Sequence, residues 1–172
     1  MHCARPTRRY AGYTIAEMLV MVAVLSIISA LAVPMFRGQD TTQLREAAKL
    51  LAADLDAAKF ESMTHADDLR LVVFDTTNHT YHIAAASDPT TPITNPVDGQ
   101  PYLVDFGEGR ASALGIVQIQ SVDLDGDDEL GFGLYGQLDQ ATTATITLAA
   151  NDAELTLTLD PATGESVIGQ IQ

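Results

Sequence analysis

Basic side chains and thiols are what this chain lacks most. Nine lysines and arginines face 23 acidic residues, a formal net charge of −14. A surface of that sign repels nucleic acid and anionic lipid headgroups. Beyond His65 the only lysine or arginine side chains are Arg70 and Arg110, too few to neutralise a run of phosphates. The single cysteine, Cys3, stands near the start and cannot form a disulfide within the chain. Serine-nucleophile motifs and glycine-rich phosphate loops are not recognisable, so nothing in the sequence points to an enzyme. There is no internal repeat and, after Pro34, no long apolar run.

What the chain has is one apolar stretch near its beginning. From Ile15 to Val33 nineteen residues carry one charge, Glu17, with Ser26 and Ser29 as the only other polar side chains. As a helix this run is roughly 28 Å long, close to the hydrocarbon thickness of a bilayer, so the reading is a transmembrane helix. Arg5, Arg8 and Arg9 precede it, and arginines flanking such a helix stay on the cytoplasmic side, which places the remainder outside. A secretory signal has a shorter apolar region ending in small residues, whereas Val33-Pro34-Met35-Phe36 is a poor cleavage site of that kind. A carboxylate inside an apolar span is costly and functional by default.

A short basic leader, Gly12, an aromatic at position 13, Thr14, Glu17 and an unbroken apolar helix together resemble the type IV pilin and type II secretion pseudopilin family. Tyr13 departs from the phenylalanine most common after the cut. The resemblance implies cleavage by a prepilin peptidase between Gly12 and Tyr13, N-methylation of Tyr13, an assembly role for Glu17, and a helix kink at Pro34. It also implies an inner-membrane location, with the C-terminal part periplasmic, and partners among other pilin or pseudopilin subunits and an inner-membrane assembly platform. Loss of the leader removes Cys3 and three arginines, leaving six basic against 23 acidic side chains, near −17.

After Pro34 and Gly38, where a bend or local melting is expected, Asp40-Thr41-Thr42-Gln43 reads as a capping box restarting the helix. Leu44, Ala47, Ala48, Leu51, Leu55 and Ala58 then share one face, an amphipathic helix to about His65. Strands are expected at 69–74 and 79–85 as a hairpin. Further strands are expected at 102–106, 116–122, 130–134, 143–149, 154–159 and 166–171. Residues 87–101, holding four of the seven prolines, read as a surface loop. The fold class is therefore α+β: a long N-terminal helix, transmembrane in its first half and amphipathic in its second, packed on a C-terminal antiparallel β domain. The divisions are leader 1–12, assembly helix 13–34 and pilin-like domain 35–172.

The helical run 44–63, the hairpin, Phe132 with Gly136, and Thr163-Gly164 are similar to the GspH/FimT-type minor pseudopilins. That branch includes DNA binders, so a membrane-tethered DNA-uptake minor pilin stands as the alternative, with the charge against it. No cofactor and no metal is expected. Asp123, Asp125, Asp127, Asp128 and Glu129 alternate around Gly126, but a calcium loop of the EF-hand kind wants its glycine sixth and a glutamate twelfth; a solvated turn is the reading adopted. His79 and His82 point to opposite faces of a strand, and His65 stands alone at a helix end.

Overall fold

The structure is a computed structural model. It describes residues 13–172, and for the helical stretch 30–39 it describes the backbone only. The chain divides into two compact units, Met1–Gly38 and Gln39–Gln172. One helix, α1 (Ile15–Thr64), contributes to both. Its backbone is helical without interruption, so the expected melting near Gly38 and restart at Asp40 do not occur. Asp40 instead accepts a hydrogen bond from Asn151 Nδ2 at 2.9 Å.

The transmembrane first half is corrected here. Among the described residues no helix is long and apolar enough to cross a membrane. What stands is a small α+β protein whose N-terminal helix is described over 15–29 and 40–64 and is followed by antiparallel sheets. The leader and its cut-site residue Gly12 lie outside the described residues, as does the Pro34 side chain.

In the larger unit the amphipathic pattern sets the packing. Leu44, Ala47, Ala48, Leu51, Leu55 and Ala58 recur every three or four positions and are all buried. They join one core with both sheets. The first sheet has the order β3-β2-β1-β6, built from β1 (Arg70–Asp75), β2 (Thr80–Ala85), β3 (Asp88–Pro92) and β6 (Glu129–Gly131). β4 (Leu103–Asp105) pairs with β2 as well, along Thr80–His82, while β3 takes Ala84–Ala85. The second sheet is β5 (Gln118–Asp123), β7 (Ala144–Ala150), β8 (Ala153–Leu159) and β9 (Ser166–Ile168) in that order. Strict alternation in β7 puts Ala144, Ile146, Leu148 and Ala150 inward and leaves Thr145 and Thr147 on the other face. A 3-10 helix, Gly109–Leu114, follows β4 and buries Ala111.

The hydroxyl of Ser62, itself fully buried, fixes where the helix hands over to the first sheet. It accepts from the Arg70 N–H at 2.7 Å and lies 3.2 Å from the Arg70 carbonyl oxygen. The proline-rich stretch expected to be a loop contains β3. Its prolines sit on an edge, where a missing N–H costs no ladder bond.

Candidate functional sites

In the N-terminal unit, Thr14 and Glu17 close a reciprocal cap on the start of α1. The Glu17 N–H donates to Thr14 Oγ1 at 3.2 Å, and the Thr14 N–H donates to Glu17 Oε2 at 3.2 Å. The spacing T-x-x-E is that of a capping box, and it satisfies two helix-start donors at once. Glu17 thus has a local partner beside the assembly role implied for it, and the spacing alone held that signal. Beyond the cap, Ile15, Met18, Leu19, Val20, Met21, Val22, Val24, Leu25, Ile27 and Ile28 are all exposed. Tyr13, the residue implied to follow the cut, is exposed too.

In the larger unit a polar cluster stands inside the core. Asp54 is 3% exposed, and among the described residues no other carboxylate or basic side chain is buried. Its Oδ2 accepts from Tyr81 Oη at 2.6 Å and Arg110 Nη2 at 2.5 Å, and its Oδ1 from Tyr102 Oη at 3.0 Å. The Arg110 guanidinium lies over the Tyr102 ring, 4.7 Å from its centre. One carboxylate therefore ties α1 to β2, to the residue before β4 and to the 3-10 helix. Burial pushes the Asp54 carboxyl above its ordinary value, and its hydrogen bonds and the Arg110 charge only partly oppose this. Burial and the neighbouring carboxylate raise Tyr81 far and Tyr102 less. Burial lowers the basicity of Arg110, but the Asp54 charge together with Tyr102 and Tyr81 raises it above its ordinary value. Sequence reading passed over Asp54, although the signal was present: it falls between Leu51, Leu55 and Ala58 on the apolar stripe, where an acid requires partners. With two tyrosines and an arginine already satisfying it, the cluster is built to hold elements together.

The corner formed by Phe132, Gly136 and Thr163-Gly164 comes together in space. Gly164 lies against the Gly136 carbonyl and the buried Phe132 ring, and Lys59 crosses both glycines with its Nζ 3.4 Å from the Gly164 carbonyl oxygen. These residues, far apart in sequence, lock the β6–β7 turn and the β8–β9 turn onto the end of α1.

The acidic segment 123–129 is a tight turn, with Asp125 at φ 66° and a bridge between Leu124 and Asp127. Its Asp127 caps the Glu129 N–H at 3.2 Å. Among the described residues no three histidine, cysteine or acidic side chains are grouped to hold a metal ion. His79 is in the turn before β2, its Nδ1 3.2 Å from the Ile119 carbonyl oxygen, and His82 Nε2 is 2.9 Å from the Pro89 carbonyl oxygen. His65 stays at the end of α1 beside Glu61 at 3.2 Å. The three histidines have separate structural partners.

The fold and these sites define a small α+β protein with an apolar N-terminal helix and a tightly tied β region. No family model matches the chain, and neither a curated protein nor a solved structure matches it.

Proposed function

We propose that the chain is a minor pseudopilin or pilin, a structural subunit of a type II secretion pseudopilus or type IV pilus-like filament, and not an enzyme. One observation carries this reading: a helix apolar on every side, Ile15 to Ile28, whose side chains the rest of the chain leaves exposed. Such a helix is stable in water only when something covers it. Helices of neighbouring subunits supply that cover in a filament. The proposed location is the cytoplasmic membrane, with the β region on its outer side, and then the filament. Prepilin peptidase cuts after Gly12 and the Tyr13 amine is methylated. The proposed role of Glu17 follows from its cap: the carboxylate is held at the helix start by Thr14 before assembly and is presented there to the Tyr13 amine of a neighbour.

The DNA-uptake alternative gains nothing from the structure. Arg70 is drawn to the Asp68 carbonyl at 2.7 Å and Arg110 to Asp54, so both basic side chains of the β region are already engaged.

The test is intact-mass measurement on protein purified from membranes, with the expected chain starting at methylated Tyr13. Replacing Gly12 with a bulky residue leaves the leader attached. Glu17→Ala leaves cleavage intact and lowers cross-linking to other pilins. A protein starting near Met35, or undiminished assembly of Glu17→Ala, overturns the corresponding part of the reading.

A further inference from the structure

An ionised carboxylate only accepts hydrogen bonds, so a buried one depends on the hydrogens aimed at it. Asp54 receives three, from Tyr81 and Arg110 on Oδ2 and from Tyr102 on Oδ1. These three side chains, from β2, from the residue before β4 and from the 3-10 helix, are also the titratable and charged groups that act on its carboxyl. A proton taken up by Asp54 adds a fourth hydrogen to the same two oxygens and cancels the charge that holds the guanidinium. One donor then has to leave. Tyr81 and Tyr102 are 1% and 7% exposed and have no water to turn to. The Arg110 side chain is 32% exposed. It has a second place to go as well, because it lines a groove of about 230 Å³ together with the carboxylates of Asp105 and Glu108.

The segment that carries Arg110 closes mostly on itself. A Cβ on Gly107 would meet the Gly115 Cα at 3.2 Å, so the two ends of the segment abut. Inside it the Gly107 N–H donates to the Ala111 carbonyl at 3.1 Å and the Ala111 N–H to the Glu108 carbonyl at 2.9 Å. The 3-10 helix is interrupted at Ala111, with φ −104° and ψ 16°, directly after Arg110. Arg110, the buried Ala111 and the half-buried Leu114 anchor the segment to the core. A piece held by so few side chains opens locally while the sheets stay closed.

We propose that Asp54 and Arg110 form an acid-released latch: when Asp54 takes up a proton, the Arg110 guanidinium leaves the core for the groove it shares with Asp105 and Glu108, and the segment 107–115 loosens. Burial brings that proton on early, since it raises the Asp54 carboxyl above its ordinary 3.8.

Hydrogen exchange on the full chain in detergent, corrected for the intrinsic effect of pH, tests the latch. From about pH 7 to about pH 4 the amides of Gly109–Leu114 are expected to lose protection about tenfold relative to those of β7 and β8 in the same sample. Asp54→Asn, whose amide is neutral and carries hydrogens of its own, is expected to show the fast exchange at every pH. Arg110→Met cuts the latch from the other side and is expected to do the same; it is read alone where the Asp54 variant fails to fold. Protection of this segment that does not change with pH in the wild type overturns the proposal. A pH dependence that persists undiminished in the variants overturns it too, because another group then sets it.

Discussion

A methyl group at position 164 would press into the Gly136 carbonyl oxygen and sit 3.3 Å from the Phe132 ring, at a backbone φ of +61°. Both the space and the conformation exclude a side chain there. Gly164→Ala is therefore expected to cost about 2–4 kcal/mol, visible as a lowered thermal midpoint. An unchanged midpoint would show that the corner opens without penalty. Asp54 gives a second residue-scale prediction, and its sign is unusual. The folded pKa is raised above the ordinary 3.8, so on acidification the folded protein takes up this proton before the unfolded chain does. Its contribution to stability grows as pH falls toward 3.8 and is lost again as pH rises through the folded pKa. Asp68, Asp75 and Asp88 run the other way. Hydrogen bonds from Ser87, Asn78 and Thr90 respectively hold them below 3.8, so the stability they give is present above that value and lost as pH falls through their folded pKa values. For Asp88 the leading donor is the Thr90 hydroxyl, at 2.8 Å. Chemical denaturation followed from about pH 7 down to about pH 4 is expected to show stability rising in the wild type and a flattened profile in Asp54→Asn. A wild-type profile that Asp54→Asn leaves unchanged would remove Asp54 as the source.

At the scale of elements, the helix start is the place where one side-chain pair sets the geometry. Thr14→Ala deletes the acceptor for the Glu17 N–H, and losing such a cap costs about 1 kcal/mol. Hydrogen exchange in the first turn of α1 should then speed up about fivefold, with β7 and β8 unaffected. Exchange unchanged in that turn would mean that Glu17 alone holds the cap. Much of this level was legible in the sequence. The stripe from Leu44 to Ala58 and the alternation in β7 and β8 are direct readings of helical and strand periodicity, and burial follows both. β3 was not legible, because Pro89 and Pro92 signal a loop and only pairing with Ala84 and Ala85 makes the segment a strand. The 3-10 helix was hidden for a similar reason: Gly109–Leu114 has no periodic pattern and is fixed by Arg110 reaching Asp54 and by Ala111 entering the core. Of the candidate sites, the corner glycines could be named from sequence, but their meeting with Lys59 is a product of the fold.

For the whole molecule, the governing quantity is the −14 charge. Four basic side chains of the larger unit, Lys49, Lys59, Arg70 and Arg110, are paired with acids of their own chain. Little positive charge is left to attract another copy, so the contact proposed between subunit helices would rest on apolar groups and be opposed by long-range repulsion. Salt screens that repulsion, with a Debye length falling from about 30 Å at 0.01 M to about 8 Å at 0.15 M. Association of the full chain in detergent is therefore expected to strengthen as sodium chloride rises over that range, measured by sedimentation at fixed protein concentration. This is the reverse of a contact held by ion pairs, and the reverse of binding to nucleic acid, both of which weaken as salt rises. Association that weakens with salt would mean that charge pairs between copies, such as Glu17 with a neighbouring Tyr13 amine, outweigh the repulsion of the acidic surfaces.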